Sequence, residues 1–172
     1  EKRVRPLIPR PAPRQRKKMR KIPILILAAM AGAACSRHAD DYSRFHDIPD
    51  RRWGFYKHLT FDVTPEDSVV TGELQLVVRH TNDYPFSNLY LEMTCCQPGR
   101  PTSCDTLSIE LADIYGNWTG SGLGTSFQRA VTVNPHFTVC DSAHIRLRHV
   151  MRVDPVPEIE QIGIIFKAID TK

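Results

Sequence analysis

"LTFDVTPEDSVVTGELQLVV", residues 59–78, decides the fold. Leu59, Phe61 and Val63 alternate with Thr60 and Asp62, "TPEDS" interrupts, and Val70, Leu74, Leu76 and Val78 then share one face. A period of two belongs to a strand with one buried face, since an amphipathic helix repeats every three to four residues. Gly72 falls in the second row and marks a place for a bulge. The same alternation recurs downstream in Leu89, Leu91 and Met93, and again in Leu107, Ile109 and Leu111. Ile145, Leu147, Met151 and Val153 are expected to face inward while His144, Arg146, Arg148 and Arg152 face out. "QIGIIFKAI" (161–169) reads as a more fully buried closing strand. Between these runs stand the breakers "TNDYPFSN", "QPGRPTS", "YGNWTGSGLG", "NPH" and "DPVPE". Seven or eight short strands with turns between them predict an all-β, antiparallel β-sandwich with jelly-roll or Greek-key order, in a single domain.

Upstream, "MRKIPILILAAMAGAAC" (19–35) has a different character. Its uncharged run from Ile22 to Ala34 is 13 residues long, short of the roughly 20 that span a bilayer and within the about 7–15 of a signal-peptide core. Arg20 and Lys21 supply the positive flank, Met19 is the expected initiator, and Gly32, Ala33 and Ala34 are the small residues of a cleavage site. A buried helix ending in Cys35 and a plain secretory signal are the alternatives. The position of Cys35 resembles the bacterial lipobox, although Gly32 stands where that pattern prefers Leu. The expected outcome is cleavage before Cys35 and a covalent diacylglycerol with further acyl chain on its sulfur and amine. Two or three chains anchor stably where one does not. Ser36, rather than Asp, follows the cysteine, which by analogy with the enterobacterial sorting rule favours the outer membrane.

The resulting organisation is a basic extension over 1–18, a lipoprotein signal peptide over 19–34, a lipidated N-terminus and flexible tether over 35–52, and the sandwich over 53–172. The tract "RPLIPRPAPRQRKK" in the extension has two readings, a disordered nucleic-acid arm or residues upstream of the native start, and the second is preferred. Residues 1–21 carry ten Lys/Arg and one acid, so the chain's net +4 conceals a remainder of −5. An acidic body argues against a nucleic-acid partner.

Four further cysteines, Cys95, Cys96, Cys104 and Cys140, fit two disulfides in an exported chain. Cys95 and Cys96 point apart in an extended segment, so one is expected to close the "CCQPGRPTSC" loop with Cys104 and the other to reach Cys140. A zinc site is the rival, but the paired C-x-x-C spacing is missing. H-E-x-x-H, G-x-S-x-G and Walker patterns are missing too. His144 and His149, five apart, face opposite sides of one strand, while His80 and His136 lie beside turns. The expectation is a chain without catalytic or metal-binding residues and without a cofactor other than the lipid on Cys35. Trp118, in a glycine-rich loop, is either a sugar-stacking platform or a plug over one end of the sandwich with its indole N–H bonded to a carbonyl. The plug is the preferred reading.

Three segments carry a family resemblance: "RHTNDYPFSNLYLEM" (79–93), "DTLSIELADIYGNWTGSGLG" (105–124) and "RHVMRVDPVPEIEQIGIIF" (148–166), behind a signal ending in Cys35. Together they resemble the GldH family of gliding-motility-associated lipoproteins of Bacteroidetes. The resemblance implies a non-enzymatic outer-membrane lipoprotein, periplasm-facing or on the cell surface. It further implies a role in gliding motility or type IX secretion-associated machinery through other envelope proteins. The four cysteines at 95–140 are not part of it. Within these segments Ser87 and Asn88 are expected to shape a hairpin connection behind Pro85. Arg79 and Arg152 are expected to pair with Asp83 and Asp154. Arg79, Tyr84, Asn88, Trp118 and Arg152 are the candidate partner surface. The rival function is a carbohydrate-binding surface lipoprotein with a glycan as ligand.

Overall fold

The computed structural model describes residues 41–169. The strands are β1 (Tyr42–Asp47), β2 (Arg52–Trp53), β3 (Leu59–Val63), β4 (Val69–Thr81), β5 (Asn88–Cys96) and β6 (Ser103–Glu110), then β7 (Ser121–Leu123), β8 (Ser126–Cys140), β9 (Ala143–His149), β10 (Val156–Pro157) and β11 (Ile159–Ala168). A five-stranded sheet has the order β1-β11-β4-β8-β7 and a four-stranded sheet the order β3-β9-β5-β6, with β10 and β2 forming a small ribbon. All pairings are antiparallel. The two sheets face each other as an all-β sandwich. Phe61, Leu89, Leu91, Ile145 and Leu147 from one sheet, and Leu74, Leu76, Ile162, Ile164 and Phe166 from the other, are fully buried in one core.

The alternation in 59–78 is therefore real, and β11 is the buried closing strand that its run of Ile and Phe foretold. The bulge expected at Gly72 begins beside it, and the glycine has a second duty. A Cβ there would lie 2.7 Å from the Phe166 ring and 2.3 Å from the Lys167 carbonyl oxygen, so glycine lets the core ring pack closely against β4. The irregularity falls on the neighbouring strand: β8 advances from Phe137 to Asn134, and then to Thr132, while β4 advances from Gly72 to Leu74 and Gln75. "NPH" is thus no turn but the bulged middle of a 15-residue strand, where Pro135 has no ladder bond to lose.

Residues 42–52, assigned above to the tether, belong to the sandwich. β1 pairs with β11 along its whole length, Ile48 donates its N–H to the Glu160 carbonyl oxygen, and Ile48 and Trp53 are buried. Phe45 lies opposite Gly163, where a Cβ would come within 2.4 Å of its ring, so the phenyl covers bare backbone on the outer face. His46, on the other face, packs edge-on against Phe61 at 4.8 Å and meets the Thr60 carbonyl oxygen at 2.8 Å, joining the edges of the two sheets.

"YPFSN" is a crossover between sheets, since β4 and β5 lie in different ones. β9 ends at His149, so Met151 and Val153 leave the strand, and Val153 is 40% exposed. The signal peptide, the basic extension and Cys35 lie outside the described residues.

Candidate functional site

Tyr90 is the centre of an apolar stretch of surface. It points outward from β5 between inward Leu89 and Leu91, and 42% of it stays exposed. Its carbonyl accepts the Val150 N–H, and its own N–H points to the Met151 sulfur at 3.3 Å. That holds the segment after β9 beside the ring. Phe86, Tyr90, Val150, Met151, Arg152 and Val153 line a largely apolar recess.

On the other side of Tyr90 a second recess runs past Asn88 to the loop after β6. Asp113 builds that loop. Its Oδ1 accepts the Tyr115 and Asn117 N–H groups at 2.8 Å, and its Oδ2 accepts the Asn117 amide at 3.0 Å. These bonds stabilise the carboxylate and lower its pKa. The loop holds Ile114 and Tyr115 in solvent, 90% and 84% exposed. Large exposed apolar side chains of this kind are common where proteins make contacts.

Beneath this surface lies an aromatic cluster. Trp118 meets His80 at 4.5 Å, edge to face, and also lies near Tyr84 and Phe127. Its indole N–H donates to Asn82 Oδ1 at 3.0 Å. The plug reading thus holds, with a side-chain amide as the acceptor. Tyr84 is buried, and its hydroxyl donates to the Asn88 carbonyl oxygen at 2.9 Å. Burial pushes its pKa upward. His80 is fully buried, with Nδ1 2.8 Å from the Thr81 carbonyl oxygen, and burial lowers its pKa.

The five expected surface residues therefore separate. Asn88 and Arg152 line the two recesses flanking Tyr90, and Tyr84 and Trp118 lie in the cluster below. Arg79 is elsewhere, over β8, where it pairs with Glu160 at 3.1 Å and Ser126 at 2.9 Å rather than with Asp83. Asp154, the expected partner of Arg152, accepts the Phe55 N–H at 2.8 Å instead. Ile114 and Tyr115 were not singled out by the sequence reading. Their signal was two bulky apolar residues inside a D-x-x-G-N turn, where a plain turn needs none.

All four cysteines in the described region are free thiols. Cys95 points into the core, whereas Cys104 sits opposite Thr94 on the outer face, so those two cannot bridge across the register. Gln97 holds the β8 end by accepting the Cys140 N–H and donating to the Thr138 carbonyl oxygen.

These features define an antiparallel β-sandwich with an aromatic, apolar surface around Tyr90. The chain belongs to the GldH lipoprotein family, whose model matches residues 40–165. It is 25% identical over 147 residues to a protein of Christiangramia forsetii named a gliding motility lipoprotein GldH homolog, covering 81% of this chain and 88% of that one. It is 32% identical over 101 residues to the gliding motility lipoprotein GldH of Flavobacterium johnsoniae, covering 58% of this chain and 61% of that one. Among solved structures, a family 35 carbohydrate-binding module from Clostridium thermocellum aligns with 74% of this chain and 94% of its own, at 12% identity and a TM-score of 0.34. A score that low carries no argument about ligand.

Proposed function

We propose that this protein is a lipid-anchored, non-enzymatic component of the gliding-motility apparatus that acts by binding other envelope proteins. The observation that carries the reading is the family match across 40–165, with relatives named for motility and lipoprotein character. The N-terminal pattern supports it, since a positive flank, a short apolar run and small residues lead directly to Cys35. Lipid on Cys35 would hold the acidic body at the outer membrane, with type IX secretion machinery as its setting. The apolar surface around Tyr90, Ile114 and Tyr115 would be the protein-binding face. Aromatic anchors amid polar neighbours are what such faces use for affinity.

The sugar-binding alternative has less support at Trp118, whose ring packs on His80 and whose N–H is already bonded. Three measurements test the proposal together. Deleting the gene should abolish colony spreading and reduce secretion of type IX cargo. Cys35→Ser should move the protein from the membrane pellet to the soluble fraction. Replacing both Ile114 and Tyr115 by Ser should remove crosslinked envelope partners while leaving the unfolding transition unchanged. Normal spreading in the deletion strain overturns the motility role, and retention of Cys35→Ser in the pellet overturns the anchor.

A further inference from the structure

The outer face of the four-stranded sheet carries an unusual row. Asp62 on β3 lies directly opposite His144 on β9, and His144 lies directly opposite Cys96 on β5. Directly opposed side chains in an antiparallel sheet have Cβ atoms about 4.5–5.5 Å apart. All three residues are exposed. His144 Nδ1 is 2.7 Å from Asp62 Oδ1. With the proton on Nδ1 and donated to the carboxylate, the lone pair of the ring is left on Nε2, on the side of the ring away from Asp62. A carboxylate, an imidazole and a thiol thus stand in line, in the order that activates a sulfur nucleophile. No group of three such residues in the described region is placed to hold a metal ion. The adjoining row, Thr60, Arg146, Thr94 and Cys104, places the Arg146 cation beside it. The same row supplies an internal comparison. Cys104 is also exposed and free, but faces Thr94 Oγ1 at 3.8 Å instead of an imidazole.

We propose that Cys96 is a site of thiol–disulfide exchange with an anionic disulfide, with His144 as its base and Asp62 positioning that base. The S–H proton passes to His144 Nε2 and the Cys96 sulfur attacks one sulfur of the incoming disulfide. The old S–S bond breaks, its electron pair leaving on the far sulfur as a thiolate that takes the proton back from the imidazolium. Cys96 is oxidised to a mixed disulfide while the departing sulfur is reduced to a thiol, so the incoming disulfide is the only oxidant required. The strand register holds Cys104 one row away from Cys96, so the mixed disulfide is not resolved internally.

The test is a timed reaction of the folded chain at neutral pH with 5,5′-dithiobis(2-nitrobenzoate), and separately with oxidised glutathione. Each cysteine is followed by mass spectrometry of non-reduced peptides. Cys96 should react about tenfold faster than Cys104 with both reagents, a modest base-assisted gain. His144→Gln should bring the Cys96 rate to that of Cys104. Asp62→Asn should lower it and Asp62→Glu restore it, with the Cys104 rate unmoved in every variant. Equal wild-type rates for Cys96 and Cys104, or a Cys96 rate indifferent to His144→Gln, overturns the proposal. Motility need not be scored, so this outcome is separate from that of the envelope role.

Discussion

The molecule contains two tryptophan–histidine pairs, and they solve the same problem differently. Trp53 is fully buried, donates its indole N–H to the Lys57 carbonyl oxygen at 2.8 Å, and meets His149 edge-on at 5.6 Å. Trp118 is half-buried, donates to the Asn82 side chain, and meets His80 at 4.5 Å. Backbone holds the first indole; another side chain, itself on an exposed turn, holds the second. The first pair closes a core, whereas the second supports the surface around Tyr90 and the Asp113 loop. Removing the first should therefore damage the fold, and removing the second should chiefly damage what the fold presents.

Trp53→Ala makes the sharpest break. It should cost about 3–5 kcal/mol, as for other fully buried aromatics, and appear as a lower urea midpoint. Trp118→Ala should cost about 2 kcal/mol, because its ring is only partly covered. It should also free the 113–119 loop to exchange amide protons faster. If the two midpoints coincide, the contrast between core and support fails.

Acid should unsettle both pairs. His80 and His149 are fully buried, and burial holds both imidazoles below their ordinary pKa, with the Asp154 carboxylate 3.8 Å from His149 Nε2 pulling the other way. The unfolded chain gains those protons near pH 6.5 while the folded chain refuses them. Stability is therefore complete above that value and falls as the pH drops below it. Each histidine contributes a slope of up to about 1.4 kcal/mol per pH unit. Urea titrations at pH 7.5, 6.0 and 5.0 should show the decline, with His80→Gln and His149→Gln each flattening part of it. The smallest expected effect is that of Asn82→Ala. It should cost about 1 kcal/mol for the lost indole bond and red-shift the Trp118 fluorescence while leaving Trp53 unchanged.

The strands with aliphatic inward faces were legible, because Leu59, Phe61 and Val63 or Leu89, Leu91 and Met93 leave one period possible. β1 was not, because its inward residues include Tyr42 and His46, which read as polar, while its one phenyl, Phe45, covers a glycine on the outer face. β8 was hidden for a related reason. It is mostly polar or half-covered, and Pro135 sits in its bulge where the sequence suggests a stop. Of the candidate surface, Trp118 was read from its glycine-rich loop and Asn88 from the segments that carry the resemblance. Arg79 was placed wrongly because its partner, Glu160, is far away in sequence and comes into reach only through the pairing of β11 with β4. The cysteines show the limit of counting: an even number says nothing of which face each sulfur occupies.

The pairing of β1 with β11 has a consequence for reach. Cys35 precedes Asp41 by six positions, and a fully extended chain covers at most about 3.6 Å per residue, or roughly 22 Å in all. A glyceride on that sulfur would leave the sandwich on a very short leash, skimming the headgroups rather than probing deep into the aqueous space. Whatever it grips would have to come down to the lipid to be gripped.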